Sequence, residues 1–281
     1  MTATELSTED DPATIVAAMA ARARRFETPC GDGSMVWRSW GSGPPLLLFH
    51  GSHGSWLHWM RNIDALAARR TLWVADLPGY GESAMPPRID HATIVGVIAE
   101  GIRELLPDQP ATDVVGFSYG GLLGAHLAAR EPALVRRLVL VDTGGLDTPM
   151  GHLSLQRFRK LAGAEREAAL RHNLNALMIH DPARIDALAV HLQEIDSLRA
   201  RMNPTELVLP DKLIEALPKI TAPVSAIWAE FDQPHPAPAV QEAVLRQYCP
   251  TLAFRVIADA GHWVMYEQPA AFNETVLALL A

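Results

Sequence analysis

Ser118 lies in GFSYG, residues 116–120, between the apolar run DVVGF and the helical pattern YGGLLGAHLAAR. A serine hydroxyl is a weak nucleophile until a base takes its proton and an acid holds that base. The spacing Gly-x-Ser-x-Gly at a strand-to-helix junction suits this chemistry. A tight turn there strains the serine backbone and lifts its hydroxyl above the sheet. Glycines at 116 and 120 let neighbouring elements pass. The following helix aims N–H groups and the positive end of its dipole at the point where an alkoxide and an oxyanion would form.

Eleven histidines compete for the role of base. His262, in FRVIADAGHWVMYEQP, follows the last apolar run and precedes the last helical pattern. That placement completes the order nucleophile, acid, base. His126, two helical turns past Ser118, is expected to face neighbouring packing. His152, His172, His180 and His191 fall in a helical interval and are expected to be solvated or to touch substrate. For the acid, Asp232 follows VSAIWAE and Asp142 ends RLVLVD. Both belong at the C-terminal edge of a parallel sheet, where such folds keep their sites. Asp232 is preferred because its loop neighbours the terminal strand. Asp142 is then structural, capping the turn at TGG, and Glu230 is a third candidate. The oxyanion needs two donors: the N–H of Tyr119, and one from HGSHGSW (50–56), with Ser52 preferred and His53 the alternative. One such donor contributes on the order of 3 kcal/mol to the transition state.

These residues need a frame. Short apolar runs at 35–40, 45–50, 71–77, 113–117, 137–142, 224–230 and 254–259 alternate with longer amphipathic stretches at 56–69, 90–106, 118–130, 238–248 and 269–280. Several runs are apolar throughout, as strands buried on both faces of a parallel sheet must be. The alternation predicts an α/β fold. The segment 11–26 predicts a helix capped by Asp10 or Asp11, with Pro12 in its first turn. From 146 to 217 no strand pattern appears, and an interval of that length is too long for a loop. It predicts a helical cap. The expected division is a helical extension at 1–30, a core at 31–145 and 218–281, and a cap at 146–217.

Twenty-four Lys and Arg against 32 Asp and Glu leave a net charge of −8. No dense basic stripe is present, which disfavours nucleic acid and anionic membranes as partners. Cys30 and Cys249 are the two cysteines, far apart and without a CxxC, so neither zinc nor a disulfide framework is indicated. The acidic start does not read as a signal peptide, and no apolar run reaches the ~20 residues of a membrane span. The expected setting is cytoplasmic, with a small-molecule substrate as partner; a homodimer is left open.

HGSHGSW, DLPGYGES (76–83), VVGFSYGG, LVLVD, WAEFD and AGHWVMYEQP together resemble the α/β-hydrolase fold family. The resemblance covers the chain from about residue 35 onward, outside the cap. It implies a mostly parallel twisted sheet flanked by helices, with a helical cap inserted after the sixth strand. It also implies a serine hydrolase, needing no cofactor or metal, that cleaves a small carboxylic ester through an acyl-enzyme. Epoxide hydrolases and dehalogenases of this family carry aspartate as nucleophile, whereas position 118 is serine. TGGL (143–146) and GHW (261–263) are similar to carbon–carbon hydrolases of ring-cleavage diketones, in which an arginine near the cap binds a substrate carboxylate. Arg199 or Arg201 would take that role here. His53, Trp56, Tyr119, Trp263, Met265, Phe158 and Met178 are expected around the substrate. A small-molecule receptor using the same pocket is the alternative outside enzymes, against which the intact Ser, His and Asp argue.

Overall fold

The computed structural model describes residues 11–281. Eight strands form one sheet: β1 (Arg24–Cys30), β2 (Gly33–Trp40), β3 (Pro45–Phe49), β4 (Thr71–Ala75), β5 (Thr112–Phe117), β6 (Val135–Val141), β7 (Val224–Ala229) and β8 (Ala253–Ile257). Their order across the sheet is β1-β2-β4-β3-β5-β6-β7-β8. β2 runs antiparallel to both β1 and β4, and every pairing from β4 to β8 is parallel. The chain steps from β3 outward to β4, then returns to lay β5 on the other side of β3. That reversal opens a crevice at the C-terminal ends of β3 and β5, where ligands of open α/β sheets bind.

The apolar runs form strands because both faces of the sheet are covered. Leu46 and Leu48 of β3 join one core cluster, with Val115, Phe117 and Ile227. Leu47 and Phe49 join the other, with Val114, Leu140 and Trp228. Each fully buried side chain of this size contributes roughly 1.5–3 kcal/mol. The helices are α1 (Pro12–Ala21), α2 (Ile63–Ala67), α3 (His91–Leu105), α4 (Tyr119–Arg130), α5 (Gly163–Asn173), α6 (Ala187–Arg199), α7 (Thr205–Val208), α8 (Pro238–Tyr248), α9 (Val264–Glu267) and α10 (Pro269–Leu279). Asp11 caps α1 by accepting from Thr14 N, and Pro12 opens it, as its fixed φ favours.

Two elements differ from expectation. The N-terminal helix stops at Ala21, and 24–30 is a strand rather than part of a helical extension. Phe26, Thr28 and Cys30 turn inward while Glu27 and Pro29 face out, a period of two that pairs against β2. Residues 1–10 of the expected extension lie outside the described residues. The stretch 56–69 is not one helix but a 3₁₀ turn, Trp56–Trp59, followed by α2. Ser55 caps the turn by accepting from Leu57 N.

Residues 146–217 contain α5, α6 and α7 and no strand. α5 runs into a π-helical turn, Leu174–Met178. Leu170, Leu174, Ile179, Ala189 and Leu192 of this interval pack into the same core cluster as Trp263 and Phe117. No helix among the described residues is long and apolar enough to cross a membrane.

Candidate active site

Ser118 stands between β5 and α4 with φ 50° and ψ −116°, a conformation that costs a non-glycine residue about 1–3 kcal/mol. The surroundings enforce it. Ser118 N donates to Val141 O at 2.8 Å, and Gly121 N and Leu122 N donate back to Ser118 O. A Cβ on Gly116 would lie 2.4 Å from Gly120 O, and one on Gly120 would lie 2.3 Å from Phe49 O. Glycine at both positions is therefore a requirement of backbone packing. α4 begins at Tyr119, so the Tyr119 N–H belongs to the first turn, whose donors have no partner within the helix.

Asp232 and His262 meet although 30 residues separate them. His262 Nδ1 donates to Asp232 Oδ1 at 2.8 Å, and both side chains are buried. With that proton placed, the remaining ring nitrogen of neutral His262 is an acceptor. Burial by itself would raise the Asp232 carboxyl. Charge interactions with His262 and His235 first, and their N–H donors second, override burial and hold it at about 2. Asp142, the other acid considered, has its carboxyl well above the usual range, through burial first and the neighbouring charge of Asp232 second. It accepts from Ala229 N at 2.8 Å and its second oxygen has no partner among the described residues. Asp142 thus braces β7 against β6. Glu230 is exposed and accepts from Asp259 N.

Ser118, His262, Ser52, His53 and Tyr119 line one cleft of about 460 Å³. Its far wall comes from the 146–217 interval: Met150, Leu153, Phe158, Leu177, Met178 and Val208, with Arg159 and Gln193 as polar members. The π-turn carrying Leu177 and Met178 bulges into this wall. Such turns are frequent at functional sites.

Four expectations do not match the cleft. Trp56 is buried beneath it, its backbone N–H donating to Asp76 Oδ1 and its ring packed on Trp40. Trp263 is buried too: its Nε1 donates to His58 O and its ring stacks on Tyr266. Met265 sits in the same core. Arg199 ends α6 on the exposed surface. Arg201 instead donates to Ser83 O, tying the segment after α6 to the loop after β4. Arg159 is the arginine that lines the cleft, with Nη2 donating to Ser197 O. The histidines at 152, 172, 180 and 191 are not among the lining residues. His126 is buried against Lys212 O and stacks on His91 with ring centroids 4.0 Å apart.

Several supporting residues escaped the sequence reading. His50 donates from Nδ1 to Gly51 O at 2.7 Å and accepts Leu77 N on Nε2 at 2.8 Å. Burial lowers its pKa to about 4, so it stays neutral and fixes the Ser52 loop. Asp76 accepts from Trp56 N and Glu82 N, which explains the DLPGYGES stretch as a brace for that same loop. His58, buried in WLHW, accepts from Gly51 N and lines the cleft. Glu267 accepts from Gly261 N, His180 N and Asp181 N, clasping the His262 loop to the 180s. His235 donates to Asp232 Oδ2 at 3.0 Å. A histidine within a proline-rich loop gave no sequence signal for this contact.

A parallel sheet of this order, a serine at the strand-to-helix turn and an Asp–His pair beside it define an α/β hydrolase architecture. The family model for the alpha/beta hydrolase fold matches residues 44–269, and the chain belongs to that family. An uncharacterized protein of Mycobacterium tuberculosis strain H37Rv is 30% identical over 274 residues, covering 86% of this chain and 76% of its own length. A 2-hydroxymuconate semialdehyde hydrolase of Pseudomonas sp. strain CF600 is 28% identical over 259 residues, covering 86% and 88%. The crystal structure of carboxylesterase CesB from Bacillus subtilis superposes with a TM-score of 0.77 at 18% identity, covering 96% of this chain and 95% of that one. The protein is a hydrolase.

Proposed function

We propose that the protein is a serine hydrolase that cleaves a small carboxylic ester through an acyl-enzyme. Ser118 is the nucleophile, His262 the base and Asp232 the acid. The observation that carries the reading is the buried His262–Asp232 hydrogen bond opening on the same cleft as Ser118. His262 takes the Ser118 proton as the oxygen attacks the ester carbonyl. Asp232 holds the imidazole in the required tautomer and stabilises its charged form. The Ser52 and Tyr119 amides receive the oxyanion. The alcohol leaves with the proton from His262. Water, deprotonated by the same ring, then attacks the acyl-enzyme and frees the acid. All of these groups come from the chain, so the reading calls on no cofactor. The apolar side chains of the far wall suit a small apolar acyl group.

A second reading, carbon–carbon hydrolysis of a ring-cleavage-type diketone, draws support from Arg159 in the cleft and from the 2-hydroxymuconate semialdehyde hydrolase among the relatives. The test uses a fluorophosphonate probe and a panel of short p-nitrophenyl esters beside a vinylogous diketone. Wild-type protein is expected to be labelled at Ser118 and to turn over the esters, and folded Ser118→Ala to do neither. An unlabelled, inactive wild type would leave a small-molecule receptor as the better reading.

A further inference from the structure

We infer that His235 is a positioning residue for the proposed reaction, a second imidazole that shares the Asp232 carboxylate with His262 and fixes its plane. The inference rests on the roles proposed for Ser118, His262 and Asp232. The two carboxylate oxygens are divided. Oδ1 accepts from His262 Nδ1 at 2.8 Å, and Oδ2 accepts from His235 Nδ1 at 3.0 Å. The two rings lie 5.7 Å apart at 52° to each other, and all three side chains are buried. A carboxylate with one donor can rotate about its terminal torsion, which is broad and nearly two-fold. A donor on each oxygen removes that freedom.

The seat of His235 is built by three separate elements. A Cβ on Gly144, just past β6, would lie 2.8 Å from His235 Nε2, so only glycine leaves room for the ring. The Trp228 ring of β7 meets it edge-on at 6.3 Å. The loop that carries it is clasped by Gly151, whose N donates to Pro234 O at 3.1 Å and whose Cβ position is closed by Gln233 O. Asp232 and His262 are titratable groups beside the ring. Asp142, just past β6, neighbours Asp232, and burial first and the Asp232 charge second push its carboxyl well up. His235 also lines the cleft beside His262.

In the reaction, His262 gains a proton and a charge, and the carboxylate must stay coplanar with its N–H throughout. His235 keeps it there and withdraws part of the negative charge from Oδ1. Removing the His235 donor leaves a freer carboxylate and a stronger negative charge facing His262.

The test compares His235→Leu, His235→Asn and Gly144→Ala with wild type, reading kcat, KM and the pH profile on a p-nitrophenyl ester. The Asn amide offers an N–H close to the Nδ1 position. His235→Leu is expected to lower kcat by about 10- to 100-fold, the size typical of groups that orient a reacting residue, with KM within about twofold. Its acid limb should move to higher pH. His235→Asn should recover activity to within about threefold of wild type and leave the acid limb in place. Gly144→Ala, which displaces the ring without altering it, should resemble His235→Leu and replaces it if the latter does not fold. A folded His235→Leu equal to wild type, or a His235→Asn that falls as far as His235→Leu, overturns the inference while Ser118 still reacts with the probe. Loss of probe labelling in wild type overturns the underlying reading instead.

Discussion

Ser55 Oγ donates to Asp196 Oδ1 across 2.6 Å, joining the loop after β3 to helix α6, 141 residues later. Both side chains are buried, and the second oxygen of Asp196 lies 3.9 Å from His58 Nε2 with no hydrogen-bond partner among the described residues. Burial pushes the Asp196 carboxyl well up, only partly offset by the Ser55 hydroxyl. The contact fastens the cleft's far wall to the loop that carries Ser52.

A carboxyl whose folded pKa lies above its unfolded value takes up a proton on folding. Its contribution to stability is full below the unfolded pKa, about 4, and falls as pH rises toward the folded pKa. Asp196→Asn keeps an acceptor for Ser55 and removes the titration. Thermal unfolding of the variant should therefore lose less stability than wild type over that window. The difference amounts to at most about 1.4 kcal/mol per pH unit. Parallel curves from acid to neutral pH would contradict it.

The strain at Ser118 separates stability from activity. Ser118→Ala keeps a Cβ at φ 50° and should unfold at the wild-type urea midpoint. Ser118→Gly relieves strain on the order of 1–3 kcal/mol and gives back up to about 1 kcal/mol in chain entropy. It should unfold at a higher midpoint while being as inactive as Ser118→Ala. A glycine variant less stable than the alanine variant would show that the turn is not strained.

The two aspartates are distinguished by one substitution each. Asp232→Asn should lower kcat by about 10³- to 10⁴-fold, because the imidazole loses the group that sets its tautomer. Asp142 has its carboxyl pushed well up by burial and has φ 42°, a region asparagine accepts readily. Asp142→Asn should therefore stay within about threefold of wild type in kcat, since an amide of the same shape keeps the acceptor for Ala229 N. The reverse ranking would move the acid to Asp142.

Arg159 and Arg199 differ in where they stand, and paired substrates can read that difference. Arg159→Met should raise KM about 10-fold or more for an ester bearing a terminal carboxylate, the worth of a charge-assisted hydrogen bond of about 1.5–3 kcal/mol. It should leave the neutral analogue unchanged. Arg199→Met should affect neither. Equal effects on both substrates would mean that Arg159 acts on the shape of the wall.

The sheet was legible because each parallel strand is buried on both sides, which writes runs such as PLLLF and DVVGF directly into the chain. Ser118 and His262 were legible because their neighbours, GFSYG and AGHW, record tight backbone turns. β1 was not, since RRFETPC is an edge strand with charges outward and a proline, and such strands lack a continuous apolar run. His235 and Arg159 lie on irregular segments whose course no periodicity describes. Trp56 and Trp263 were placed by proximity in sequence to the motif residues. Only the three-dimensional path shows both rings turned into the core under the cleft.

The division of strands along the chain carries a manufacturing consequence. Residues 24–141 complete six strands, the elbow of Ser118 and the Ser52 loop, whereas Asp232 and His262 arrive only with β7 and β8. A chain cut in the exposed stretch around Leu155 is expected to give two halves that each lack part of the candidate site, one with the open edge of β6 and the other bringing the strand that fits it. Their recombination would reassemble the candidate site, so recovered hydrolase activity is expected to signal that the two pieces have been brought together.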